Sequence, residues 1–351
     1  MLDKIKEKIN NNAPLDKKDI LKLIALLTTE KKQEIYNLAD NLRAKIMGDE
    51  VFIRAIIEFS NFCRKNCDYC GIRGKNKNVK RYRMTEEEII DNCLKVEKNG
   101  FTTVVLQSGE DMYFNKEKMG YIISEIKAKT KLAITVSAGE RDIETYKFWY
   151  DCGMDRYLLR FETSNKKIFQ KIHPDDDFDF RIQCIKNLKS IGVQTGSGFM
   201  IGLPEASFED IADDILLCRE LALDMIGVGP FIPHPDTPLG VNILKYDFDF
   251  YSGIIAILRL VNPYSHIPAT TAFDALQKNG RDLLLQRGAN IFMPNATPQK
   301  YRKFYLLYPD KPCVDEGADD CSRCVIYRIT RLGRKIGKGP GHSVLNKKND
   351  A

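Results

Sequence analysis

From Val51 onward the chain alternates short runs rich in β-branched and aromatic residues with longer runs of helical period, and few folds accommodate that rhythm. Strand-like runs fall at 52–59, 103–107, 133–137, 156–162, 193–201, 225–231, 267–271 and 290–293. Helix-like runs lie between them at 85–99, 116–129, 140–152, 180–191, 207–223, 248–261 and 280–287. Strands separated by helices favour a parallel sheet, because parallel neighbours need a crossover and a helix supplies one. Eight such units predict an α/β fold, a closed (β/α)8 TIM barrel, with an open doubly wound sheet as the competing arrangement. Residues 1–50 read instead as helices ahead of the barrel. Asp16 can cap a helix over 17–27, and a second run from Thr29 to Met47 stops at Gly48. The barrel is expected over 51–310 and a C-terminal extension over 311–351.

A barrel carries its chemistry at the C-terminal ends of its strands. Directly after the first run comes Cys63-Arg-Lys-Asn-Cys67-Asp-Tyr-Cys70, with three thiols in a single turn-sized loop. Thiolates so spaced can ligate three irons of a cubane [4Fe-4S] cluster and leave the fourth iron open to a ligand. A closed zinc site wants four ligands, and the first histidine in the sequence, His173, lies far along the chain. Zinc, or a disulfide with a spare thiol, is the competing reading.

Composition sets the setting for that loop. At 43% hydrophobic and 29% charged residues, the chain can bury a sizeable core beneath a polar surface. Lysines and arginines (54) outnumber acids (48) by only six and are interspersed with them, so nucleic-acid binding is not demanded. The first residues show no apolar leader, and no stretch approaches transmembrane length. Ten cysteines without a secretion signal point to the reducing cytoplasm. Six of them fall in two clusters; Cys93, Cys152, Cys184 and Cys218 stand alone in helix-like runs and read as core.

Polar residues recur where barrel strands should be apolar. The second run ends in Gln107-Ser108-Gly-Glu110-Asp, and the third carries Thr135 and Ser137 on one face. The fourth brings Arg160 and Glu162 to the end of a buried strand, where charge is costly unless paired or bound to a ligand. A structural Arg–Glu pair is the alternative. Arg181 opens the next helix, where an ordinary exposed residue would also fit. The fifth strand carries Gly196, Gly198 and Gly202, which permit close approach of a ligand. Thr270 and Thr271 end the seventh run, and Tyr308 follows the eighth. His234 sits among prolines and reads as a loop residue. There is no cysteine–histidine or serine–histidine–carboxylate set. The inventory suits binding of a polar anion beside a cofactor that does the hard chemistry.

The spacing of Cys63, Cys67 and Cys70, with aromatic Tyr69 before the last, resembles the signature of radical S-adenosylmethionine (SAM) enzymes. In that family the open iron chelates SAM, and an electron cleaves it to methionine and a 5′-deoxyadenosyl radical. Gln107–Ser108–Gly109–Glu110 resembles the family's Gly-Gly-Glu element for the SAM amino group, with Ser108 in place of the first glycine. Blocks at 63–76, 106–113, 156–163, 229–239, 267–272 and 289–298 look more closely like the HydE family of [FeFe]-hydrogenase maturases. The resemblance implies that Tyr69, Glu110, Glu162 and Arg181 bind SAM, with Glu162 on the ribose hydroxyls and Arg181 on the carboxylate. It implies a cavity for cofactor and substrate lined by Gln107, Ser108, Thr135, Ser137, Arg160, Thr270, Thr271 and Tyr308. The substrate it implies is a cysteine-bound Fe(CO)2(CN) complex from HydG, and the scaffold protein HydF is the downstream partner. Cys313, Cys321 and Cys324, read as a surface loop, resemble a second [2Fe-2S] or [4Fe-4S] site of that family; zinc or an empty site competes there. A methylornithine synthase-like lysine mutase and a non-catalytic iron–sulfur carrier are the alternative functions.

Overall fold

The computed structural model describes residues 2–314 and 318–345, and of 318–322 the backbone alone. The first stave of the barrel is interrupted at Arg54, which separates β1 (Glu50–Ile53) from β2 (Ala55–Ser60). Then come β3 (Thr103–Ser108), β4 (Ala133–Ser137), β5 (Arg156–Leu158), β6 (Gln194–Ser197), β7 (Met200–Ile201), β8 (Met225–Ile226), β9 (Gly229–Pro230), β10 (Pro268–Ala269) and β11 (Ile291–Phe292). One parallel arc runs β2-β3-β4-β5-β6-β8, and a second runs β10-β11-β1. Bridges from Met225 to His266 and from Ile56 to Asn295 join the arcs. The ring is closed, and the open sheet falls away.

The staves from 156 onward are all shorter than the sequence predicts, and in two of them the backbone shows why. The run at 156–162 pairs as a strand only over Arg156–Leu158, because Glu162 turns to φ +67 and rejoins the ladder by one bridge to Phe199. The run at 193–201 breaks at Gly198, whose φ is +154 and whose absent Cβ would lie 2.0 Å from the Gly227 carbonyl oxygen. That close approach brings β6 and β8 together and lets β7 and β9 pair above them.

Outer helices begin where side chains satisfy their first N–H groups. Thr85 and Glu88 form a capping box for Glu86–Lys98, as Ser207 and Asp210 do for Phe208–Glu220. Asp16 caps Lys17–Leu26 in the same way; the next helix, Lys32–Met47, starts later than the sequence suggests and ends at Gly48 (φ +70). Helix Phe248–Val261 is buried at every position from Phe250 to Val261, and a helix apolar all round must be covered. Helices Lys17–Leu26 and Lys32–Met47, the second and third of three at the N-terminus, supply that cover, with Tyr36 donating its hydroxyl to the Asp249 carbonyl at 3.0 Å.

The C-terminal extension closes the other end of the barrel. Its strand β12 (Lys335–Ile336) pairs with β1, and the following glycines pass against the Phe52 ring. Arg54 and Arg156, inside the barrel floor, donate to the carbonyls of Gly341 and Pro340 at 3.2 and 2.8 Å. Helix Ala318–Thr330 precedes this plug and is tied down by Arg328, which pairs with Asp274 and Asp282 at 2.8 and 2.6 Å. Among the described residues no helix is long and apolar enough to cross a membrane.

Candidate active site

The triple-cysteine loop follows β2 and stands at the mouth of the barrel. Its shape is fixed by Arg81, whose guanidinium donates to the carbonyls of Asn61, Ile72, Arg73 and Asn76. Asn61 adds bonds to the Lys80 and Phe304 carbonyls at 2.9 and 2.6 Å. The Cys63 sulfur accepts the Glu110 backbone N–H at 3.3 Å. Burial pushes the Cys63 thiol up, and burial with mutual repulsion among the cysteines pushes Cys67 well up and Cys70 to about 12. Three adjacent thiols that resist ionisation are natural ligands for a cationic metal group, which supplies the missing counter-charge. Among the described residues, no three His, Cys, Asp or Glu side chains surround a single-ion position. Three thiols so placed suit three irons of a cubane cluster, whose fourth iron needs no protein ligand.

The expectation that no histidine is near this loop is corrected by the fold. His173, buried, places Nδ1 3.2 Å from the Cys67 sulfur and Nε2 3.2 Å from the Tyr69 hydroxyl. It ends helix Lys166–Ile172 just before Pro174, which brings a distant segment to the mouth. Burial, with Arg181 and Lys65 nearby, pushes its imidazole well below the ordinary range.

A network of buried charges anchors the loop from beneath. Lys65, between the first two cysteines, lies 3.0 Å from Glu140 and 2.9 Å from Asp176. Arg64 holds Glu110 at 2.6 Å, whose other oxygen accepts the Glu140 N–H at 3.0 Å. Arg181 is buried, not exposed: it bonds Glu140 at 2.5 Å, Asp176, and the Arg160 carbonyl at 2.8 Å. Those contacts use three of its five N–H donors and leave one hydrogen each on Nη1 and Nη2. Lys65, Glu140 and Asp176 carried no separable signal in the sequence, since each is a common residue in a polar stretch.

Arg160 and Glu162 do meet, with Nη2 2.8 Å from Oε2. The pair is misaligned for a hydrogen bond, so Glu162 Oε2 and Arg160 Nε are buried without hydrogen-bond partners, as is Thr135 Oγ1. For Thr135 Oγ1, which has no partner of any kind among the described residues, that costs about 1–3 kcal/mol until a ligand satisfies it. The Tyr69 phenol, pushed up by burial, also feels Glu162, Cys67 and Cys70, which sets this polar group beside the cysteines. Thr271 Oγ1 and the Tyr308 hydroxyl share a 2.7 Å hydrogen bond, and Thr270 donates to the Val228 carbonyl at 3.0 Å. Gln107 donates to the Tyr305 hydroxyl at 3.3 Å, and Ser108 to the Gly109 carbonyl at 2.6 Å. Ser137 is half-buried at the end of β4. His234 bonds within its own loop, accepting the Asp236 N–H at 3.1 Å.

The second cysteine group is not a loop throughout. Cys313 sits at φ +63 and contacts Arg281 at 3.9 Å, whereas 321 and 324 fall on helix Ala318–Thr330, with Cys324 exposed. The side chain of Cys321 lies outside the described residues.

A closed parallel barrel with this triple-cysteine mouth defines the class of radical SAM enzymes, and the model of the Radical SAM superfamily matches residues 57–218. The chain is 49% identical over 309 residues to the [FeFe] hydrogenase maturase subunit HydE of Thermotoga maritima, covering 88% of each protein. It is 29% identical over 338 residues to the 3-methylornithine synthase of Methanosarcina barkeri, covering 95% of this chain and 93% of that one. The solved methylornithine synthase superposes with a TM-score of 0.83 at 26% identity, covering 95% and 97%. The hydrogenase maturase HydG from Carboxydothermus hydrogenoformans shares the fold, with a TM-score of 0.79 at 20% identity over 95% and 78%. The chain belongs to the HydE family of [FeFe]-hydrogenase maturases within the radical SAM superfamily. It is an enzyme of the class whose cofactors are a [4Fe-4S] cluster and SAM.

Proposed function

We propose that the protein acts in [FeFe]-hydrogenase maturation on a cysteine-bound Fe(CO)2(CN) complex made by HydG, and that its product moves on to the scaffold HydF. The observation that carries the reading is the set of unsatisfied buried atoms, Glu162 Oε2, Arg160 Nε and Thr135 Oγ1, beside three cysteines that need a cationic partner. Cys63, Cys67 and Cys70 hold the cluster by three irons. When bound, the cluster and SAM supply an electron and a 5′-deoxyadenosyl radical.

The side chains then divide the binding between them. Glu162 accepts the ribose hydroxyls through its carboxylate, whose Oε2 is ion-paired with Arg160 but makes no hydrogen bond. Arg181 turns its two remaining N–H donors to the SAM carboxylate, and Glu110, fixed by Arg64, flanks the amino group. Tyr69 packs beside them. Deeper in, Thr135 and Ser137 offer hydroxyls to cyanide nitrogen, and Thr270, Thr271, Tyr308, Gln107 and Ser108 line the same space. Arg160 suits the carboxylate of the substrate cysteine. Cys313, Cys321 and Cys324 form an accessory [2Fe-2S] or [4Fe-4S] site away from the chemistry. The ten cysteines fit a cytoplasmic setting.

One anaerobic assay tests the reading. Reconstituted protein with reductant and SAM should release 5′-deoxyadenosine, and the HydG-derived iron complex should stimulate that release where lysine does not. Stimulation by lysine alone would favour the methylornithine alternative; no cleavage by a loaded cluster would favour a carrier.

A further inference from the structure

We infer that His173 is a positioning residue for the cluster loop, donating Nδ1–H to the Cys67 sulfur while its Nε2 receives the Tyr69 hydroxyl proton. The inference rests on the assignment of Cys63, Cys67 and Cys70 as cluster ligands. Both contacts are 3.2 Å, and one rigid five-membered ring makes both. The ring cannot drift. It stacks on Phe169 with centroids 4.4 Å apart and meets the Tyr69 ring edge-on at 5.4 Å.

Ligation settles the tautomer. A metal-bound Cys67 has no S–H to give, so a bare Nδ1 lone pair facing the sulfur would repel it. Nδ1 therefore carries the proton, and the Asp176 carboxylate, with Oδ2 3.7 Å from that nitrogen, favours it there electrostatically. Nε2 is then the acceptor, and the Tyr69 O–H the donor. The imidazole thus couples the orientation of the aromatic residue before Cys70 to that of the ligand before it.

An N–H···S bond favours the reduced cluster, because reduction adds negative charge that spreads onto the sulfurs. His173 accordingly raises the reduction potential of the cluster it supports. This role is distinct from that of His234, whose ring packs against Gly71 and bonds its own loop.

Pulsed EPR on the reduced, reconstituted protein tests this directly. Protein labelled with 15N-histidine should show a nitrogen coupling to the cluster, and that coupling should vanish in His173→Gln, whose amide is unlabelled. In a redox titration, His173→Asn, whose amide N–H stands where Nδ1–H stood, keeps the donor and should hold the parent midpoint. His173→Phe keeps the stack on Phe169 but has no N–H, and should lose about tenfold in reduced fraction at fixed potential, equivalent to a fall of about 59 mV. No coupling in the labelled parent, a coupling that persists in His173→Gln, or a parent-like midpoint in His173→Phe would overturn the inference. The labelled parent gives its answer even if a variant misfolds. A parent that assembles no cluster on these cysteines would remove the metal assignment itself.

Discussion

Lys65 and Asp176 approach to 2.9 Å across 111 residues of sequence, and this contact binds the cysteine loop to the barrel wall. The lysine is almost buried and faces Glu140 as well, so its charge is matched by carboxylates that have no water to turn to. Replacing it with methionine keeps the volume and leaves Glu140 and Asp176 to share the Arg181 guanidinium alone, one buried positive charge against two carboxylates. Lys65→Met should lower the melting temperature and the iron bound per chain after reconstitution; parent-like iron loading would show that the anchor is dispensable.

Glu162 sits at φ +67, a conformation that β-strand neighbours do not require, and its ion pair with Arg160 leaves Oε2 without a hydrogen bond. Backbone strain and an unsatisfied oxygen at one residue indicate a ligand contact. Glu162→Gln removes the charge and keeps the shape. Losing one or two charge-assisted hydrogen bonds, each worth about 1.5–3 kcal/mol, should weaken SAM binding at least tenfold with iron content unchanged. The SAM-induced change in the EPR spectrum of the reduced cluster measures this.

The barrel was legible because strand and helix periods are local, and each of the eight staves lies where its run predicts. What local pattern could not show is where the chain departs from regularity. The break at Gly198 depends on the approach of the Gly227 carbonyl, and the turn at Glu162 depends on Gly198 in turn, through its N–H to the Gly198 carbonyl at 3.0 Å. The site divides similarly. Cys63, Cys67 and Cys70 are contiguous in sequence and stood out by spacing alone. His173, Glu140 and Asp176 reach the same loop through tertiary folding, and no spacing in the chain announces them. Helix Ala318–Thr330 was missed because Asp and Gly around Cys313 read as loop, while its anchors, Asp274 and Asp282, lie in another part of the chain.

The two cysteine groups should behave unequally. Cys67 stands at the mouth beside Tyr69 and His173, whereas Cys324 is exposed on an outer helix. Cys67→Ala should abolish SAM cleavage and hydrogenase maturation. Cys321→Ala should largely preserve both and lower only the iron content. Equal losses in the 5′-deoxyadenosine assay would mean that the second group takes part in the chemistry.

Asp214 links the same turn to pH. It is buried in helix Phe208–Glu220 and accepts the Ser164 N–H, two residues beyond Glu162. Burial, opposed by its bonds to Ser164 and Thr163 and aided by Asp210, raises its carboxyl from an ordinary 3.8 to about 7. A carboxyl raised on folding favours the fold in its protonated form. That contribution is complete below pH 4 and is lost as the pH climbs through 7. The shift corresponds to about 4 kcal/mol at most. Asp214→Asn resembles the protonated acid and cannot ionise, so it should gain stability over the parent between pH 4 and 7 and hold that gain above. Melting temperatures of both proteins at pH 5 and pH 8 decide the matter: the gap between them should widen with pH, and a constant gap would mean that Asp214 is already ionised in the folded state.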